Sequence, residues 1–352
     1  MKVQRRRLMQ AAIALPLGIG ERAAPRAVGY LPWWMADGTS AMPLARLERI
    51  VLFDAPVAAD GGLDSREWLK RGAALAGQAP LEIALTLLKE GEFERVFGPS
   101  SSRDRLYDGC SHLLEQPFVA GVHLDFEAYE DMAPAAITGF RAWLARLAAT
   151  AAAAGKVISA FLPASDAFRA FDVASARHIG WWVAQLYDAH WAESPTTGPL
   201  VTRSEANPVA IPRTRARLAA LGVPRERVSL SVPLYGWQWM CDSERPGART
   251  RGKGRLLTFA ETPSELMPND RLAASVLAAR HGLRRDRERT PYYAHRDGTQ
   301  WVQGWYEDME SLTQKLAPER AAGYAGLAFF PLGYDKGEIV EALMRWWRAA
   351  TS

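Results

Sequence analysis

The sequence predicts an α/β chain folded as a (β/α)8 barrel, a TIM barrel, with a small β-hairpin-containing insertion between strands seven and eight. Three observations carry this expectation. Eight short apolar runs recur between residues 27 and 332. Most are continuous rather than alternating, which is how parallel strands covered on both faces are written. Helical patterns separate several of them, and such repetition over a chain somewhat longer than about 250 residues is the barrel arrangement. A doubly wound open sheet is the competing architecture, but no GxGxxG follows the first run.

Taken in order, MKVQRRRLMQAAIALPLGIG has a basic head, Lys2 with Arg5, Arg6 and Arg7, and then a modest apolar run from Leu8 to Ile19. That run falls short of the roughly 20 apolar residues that span a bilayer. RRRLMQ resembles a twin-arginine export signal, so residues 1–26 are expected to direct export to the periplasm or beyond. The following ERAAPRA is a poor cleavage site, which leaves an uncleaved N-terminal anchor as the alternative and as the one membrane attachment expected. Residues 27–352 are then a single barrel.

Its expected strands are AVGYLPWW (27–34), RIVLFDAPV (49–57), LEIALTLL (81–88), GVHLDFE (121–127), KVISAFLPA (156–164), WWVAQLYD (181–188), VSLSVPLYG (228–236) and GLAFFPL (326–332). Residues 135–155 and 212–222 are helical in pattern, the second stopping at a glycine. The segment from about 237 to 325 is too long for one crossover helix and is expected to hold the insertion. Within it, residues 290–307 form a hairpin whose turn is assigned to Asp297 and Gly298, between two aromatic-rich arms. Residues 338–350 are the closing amphipathic helix.

Composition narrows the function classes. Of 352 residues, 48% are hydrophobic and 23% charged, as in a globular chain. Net charge is +4, but the arginines are scattered among acids, so no nucleic-acid partner is expected. Cys110 and Cys241 lie far apart and without a ligand pattern, which argues against a zinc site and a disulfide framework. Neither a metal nor an organic cofactor is implied.

The fourth run carries the chemistry. In FVAGVHLDFEAYED, alternation sends Val122, Leu124 and Phe126 towards the helices and His123, Asp125 and Glu127 into the barrel, with Glu127 at the C-terminal mouth. Catalytic groups of such barrels sit at that end. Neighbouring carboxyl groups in a partly dry site repel, so one keeps its proton near neutral pH, as a proton donor to a glycosidic oxygen must. The structural alternative is a buried ion pair with an arginine of a neighbouring strand.

AGVHLDFE resembles the DxxDxDxE strand of glycoside hydrolase family 18, the chitinases and endo-N-acetylglucosaminidases. VGYLPWW is similar to that family's first strand, AQLYDAH to its sixth and SVPLYGW to its seventh. GWYEDMESLTQKL and AGLAFFPLGYD resemble the segment before its last strand and that strand itself. The resemblance implies a retaining, substrate-assisted glycosidase in which the substrate's 2-acetamido oxygen attacks the anomeric carbon. It implies Glu127 as acid and then base, Asp125 as orienting support for the acetamido group, and Tyr187 as hydrogen-bond donor to its carbonyl. Asp188 would polarise or position this cluster, and Phe330 would stack on a sugar ring. Trp33 and Trp237 are expected to stack on sugars from their places at predicted strand ends and in the insertion, and Tyr235 and His123 are expected to line the substrate site. The partner is an N-acetylhexosamine polysaccharide or oligosaccharide, chitin-like, peptidoglycan or exopolysaccharide.

The departures are as specific. Ala120 and His123 stand where the family has its first two aspartates, ALTLLKEG replaces its SxGG on strand three, and Phe330 stands for its strand-eight tryptophan. His123 is expected to hydrogen-bond Asp125. Two other functions are compatible with the residues: a carbohydrate-binding barrel without catalysis, and a glycosidase of another family using the same carboxylates.

Overall fold

The computed structural model describes residues 23–127, 132–164, 169–262 and 273–349; residues 1–22, on which the export expectation falls, lie outside these. Seven parallel strands come first: β1 Ala27–Pro32, β2 Arg49–Pro56, β3 Leu81–Leu87, β4 Val119–Phe126, β5 Val157–Leu162, β6 Trp181–Gln185 and β7 Val228–Pro233. Five more, β8 Tyr235–Cys241, β9 Arg255–Thr258, β10 Arg284–Arg285, β11 Pro291–Asp297 and β12 Gln300–Trp305, build a separate sheet. β13 Gly326–Phe330 then pairs with both β7 and β1 and closes the barrel.

The apolar runs become strands because both faces are covered. Every residue of β3 is buried. On β4, Phe126 points outward and packs against Phe97 and Trp143, the latter on the buried face of the helix Pro134–Ala153. Each large side chain buried this way contributes about 1.5–3 kcal/mol. With Phe126 fixed outward, the strand's period of two turns His123 and Asp125 inward.

Inside the barrel the fill is partly polar. Tyr30 OH lies 2.8 Å from His123 Nε2, and His123 Nδ1 lies 2.7 Å from Ser159 Oγ. The Ser159 hydroxyl donates to Glu82, which also accepts from Trp181 Nε1 at 3.2 Å and pairs with Arg49 at 3.1 Å. The strands from β1 to β6 thus share one hydrogen-bonded layer, and burial without partners, which would cost several kcal/mol, is avoided.

The insertion contains the expected hairpin, β11 with β12, inside a larger five-stranded antiparallel sheet in the order β10-β11-β12-β8-β9, which starts at Tyr235, directly after β7. The seventh run therefore splits: the Leu234 N–H donates to Phe330 O at 2.7 Å, and the chain leaves the barrel. Gly236 permits the departure, since a Cβ there would collide with the Trp305 carbonyl oxygen. The hairpin turn falls on Gly298 and Thr299, one residue later than the sequence suggests, because Asp297 still pairs with Gln300; Gly298 takes φ +57.

A buried ionic cluster ties the loop after β6 to the helix Met309–Ala321. Lys315 Nζ contacts both carboxylate oxygens of Glu307, Val201 O and Thr290 Oγ1, all at 2.8 Å. One turn on, Glu319 pairs with Arg203 at 2.6 Å. Cys110 and Cys241 are separate buried thiols.

Candidate active site

The C-terminal ends of the strands gather the ionisable groups. Glu127 follows β4 directly and its N–H donates to Leu87 O at 2.8 Å, so the ladder with β3 fixes the residue at the rim, where it is half-buried. Asp125, one step deeper, is only 3% exposed. Its carboxyl is held well above the usual carboxylate range by burial first, then by the neighbouring charges of Glu127 and Asp54.

Tyr187 and Asp188 come from the end of β6. Asp188 adopts φ 70 and turns its carboxylate back, accepting from Tyr235 OH at 2.6 Å and from Gln185 Nε2 at 3.0 Å. Burial raises its pKa to about 6, against the lowering effect of those two donors. Tyr187 lies nearly parallel to Phe330, ring centroids 6.2 Å apart, and edge-on to Tyr235 at 6.0 Å. Burial pushes the Tyr187 phenol upward, assisted by the charges of Asp188, Glu127 and Asp125, so it stays a hydroxyl donor.

These groups border a cavity of about 990 Å³ whose walls bring together the sequence-derived residues Tyr187, Asp188, Tyr235, Trp237 and Phe330. Glu127 stands beside this wall, close enough for its charge to act on Tyr187, Tyr235 and Asp125. Phe330 also meets Tyr30 and Phe53 edge-on, at 5.8 and 5.3 Å, making it the hub of the aromatic floor.

Two expectations change. His123 is fully buried and both ring nitrogens are engaged by Tyr30 and Ser159, so it neither lines the cavity nor bonds Asp125. Its ring nitrogens reach sideways to β1 and β5 rather than along its own strand. Burial lowers its pKa to about 3, which makes it a neutral imidazole. Trp33 is 46% exposed over a separate hollow of about 260 Å³ beside Asp54 and Trp68, while its neighbour Trp34 lines the main cavity.

Sequence reasoning passes over three residues. Trp191, 46% exposed on the cavity wall, follows Asp188 in the same loop, and that proximity is a readable signal. Tyr334 accepts from Trp34 Nε1 at 3.1 Å and holds that ring in the wall. Asp54, on β2, has no signal, because nothing in RIVLFDAPV marks its approach to β4.

The family model for glycosyl hydrolases family 18 matches residues 86–335. The chain belongs to glycosyl hydrolase family 18. It is thus a glycoside hydrolase by family, built on that family's barrel. The catalytic domain 2 of a group II chitinase from Ostrinia furnacalis superposes with a TM-score of 0.75 at 19% identity, covering 92% of this chain and 96% of that one. A family 18 chitinase from Cycas revoluta, solved in complex with (GlcNAc)3, gives 0.71 at 17% identity, covering 93% and 100%. The spore cortex-lytic enzyme SleL of Bacillus cereus gives 0.68 at 17% identity, covering 91% of this chain and 74% of that one. At these identities the likeness is one of fold. A search among curated proteins finds no significant match.

Proposed function

We propose that this family 18 chain hydrolyses a β-linked N-acetylhexosamine polysaccharide with retention, the substrate's own acetamido oxygen serving as nucleophile. The observation that carries the reading is the seclusion of Asp125 one step below a half-open Glu127, which leaves one carboxyl rather than two at the rim. A carboxyl sunk below the rim, whose ionised form burial disfavours, is a poor nucleophile towards an anomeric carbon, so the nucleophile has to come with the sugar.

Each group then has a task set by its surroundings. Glu127, at the half-open rim, takes up the proton it shares with Asp125, passes it to the bridging oxygen and afterwards takes one from water. Asp125, left ionised once the shared proton has passed to Glu127, supports the acetamido group as positive charge develops on it. Tyr187, kept a hydroxyl, donates to the acetamido oxygen. Asp188, tied to Tyr235 and Gln185, holds the β6 end of the wall in place. Trp34, Trp191 and Trp237 offer ring faces along an open cavity, which suits a polymer rather than a single sugar. Export through the twin-arginine-like head of residues 1–26 belongs to the same reading, and fusing that segment to a reporter tests it.

The decisive comparison is wild type against Glu127→Gln on N-acetylated and fully de-N-acetylated β-linked oligosaccharides. The reading expects cleavage of the acetylated series only, lost in the variant by about 100-fold or more. Cleavage of both series points to a different glycosidase scheme. Binding without cleavage points to a carbohydrate-binding barrel.

A further inference from the structure

Three neighbouring strands set a row of polar side chains across the barrel mouth. Asp54 lies on β2, Thr86 on β3 and Asp125 on β4; Thr86 and Asp125 are register partners. The Thr86 hydroxyl donates to Asp54 Oδ2 at 2.6 Å, and the Asp54 carbonyl accepts from Trp68 Nε1 at 3.0 Å, so side chain and backbone of Asp54 are both fixed. Arg71, which shares the adjoining hollow, is engaged by Asp37 at 2.5 Å and by Glu67 at 3.9 Å rather than by Asp54. Asp125 Oδ1, buried, has no hydrogen-bond partner among the described residues.

We propose that Asp54 is a positioning residue of this site: the Thr86 hydroxyl fixes its carboxyl in the row that ends on Asp125, where it takes the place of the strand-four carboxylate replaced by His123. This rests on the function proposed above. A neutral His123, turned away to Tyr30 and Ser159, cannot supply a charge next to Asp125. Asp54 supplies one from the neighbouring side of the mouth. Like charge disfavours a second ionisation, so the proton stays on the pair to higher pH than burial alone would keep it. The other groups facing Asp125 among the described residues are Glu127 on its own strand, Tyr30 on β1 and Tyr187 at the end of β6; burial pushes both phenols up, so the carboxyls that act on Asp125 are Glu127 and Asp54.

The test is infrared titration of the protonated carboxyl band that Asp125→Asn abolishes, measured in the full chain without substrate. Asp54→Asn is expected to move the midpoint of that band down by about one pH unit, the lower end of the shift one close like charge produces. Thr86→Val, which keeps the shape and releases the carboxylate, is expected to move it the same way by less. In the activity profile, the basic limb of kcat/KM should fall to lower pH in Asp54→Asn, and Asp54→Glu should restore it. An unmoved band in both variants overturns the proposal, even if turnover drops. Because the band is read without turnover, an inert wild type would sink the proposed hydrolysis, while the position of the band would still decide the role of Asp54.

Discussion

The Tyr235 hydroxyl donates to Oδ1 of Asp188 at 2.6 Å across the gap between the end of β6 and the start of the insertion. This bond stabilises the charged form of a carboxyl that burial holds at about 6. Tyr235→Phe removes it, so the Asp188 pKa should rise above about 6 and the acid limb of kcat/KM should move to higher pH. A pH–rate profile of wild type and variant checks the direction.

Asp188 also exchanges stability for position. Its folded pKa is raised above the ordinary carboxylate value, so the native state binds a proton more tightly than the unfolded chain. Its contribution therefore falls as pH climbs from about 4 to about 6 and stays low above that. Asp188→Asn, still able to accept from Tyr235, should be more stable than wild type at pH 7, by at most about 3 kcal/mol, while turning over more slowly. Urea denaturation at about pH 4 and about pH 7 separates the two states, the difference appearing only at the higher pH.

Asp125→Asn should behave otherwise. Burial already holds the native carboxyl well above the usual carboxylate range, so a neutral amide of the same shape adds little burial cost, and stability at neutral pH should stay within about 1 kcal/mol of wild type or rise. Turnover should nonetheless fall about 100-fold or more, since an amide carries no proton to share with Glu127. A folded variant with intact oligosaccharide binding and lost kcat is the expected result.

His123 gives the opposite slope. Its folded pKa lies at about 3, below that of a free imidazole, so the unfolded chain takes up the proton first. Stability contributed by the neutral ring is complete above about 6.5 and is lost as pH falls towards about 3. His123→Asn, which keeps a polar group towards Ser159 but carries no titrating ring, should lack this component. Its unfolding free energy should decline less steeply than that of wild type between those values.

The strands are legible in the sequence because eight apolar runs of this length have few other uses, and the mouth is legible because alternation along β4 fixes which carboxyls face inward. Sideways reach is not. Spacing alone suggests that His123 bonds its i+2 neighbour Asp125, yet a ring standing across the strand meets β1 and β5 instead. Trp33 and Trp34 are hard to separate because a 3-10 turn, Trp33–Ala41, follows β1 directly, and neighbouring side chains on it diverge by about a third of a turn. Asp54 is invisible for a related reason. Its partners lie on β3 and β4, and only the register of the closed barrel, bulged between Leu52 and Ala55, brings them together.

Lys315 carries the last expectation. It belongs to GWYEDMESLTQKL, the segment that resembles the family before β13, and in the fold it is sealed, 1% exposed, against Glu307. It joins three parts of the chain: Glu307 itself, Thr290 at the edge of the insertion, and Val201 in the loop that carries the cavity wall. Lys315→Met strips the cation from a buried carboxylate and should cost about 3–5 kcal/mol, read as a lower denaturation midpoint. Removing both charges with Lys315→Met and Glu307→Leu should recover much of that loss, because the penalty comes from the unpaired charge rather than from the missing bond. Activity should follow a different order. The double variant still lacks the contacts that hold Val201, so its KM should remain raised even where its stability returns. A KM that recovers together with stability would show that the loop after β6 is held by packing alone.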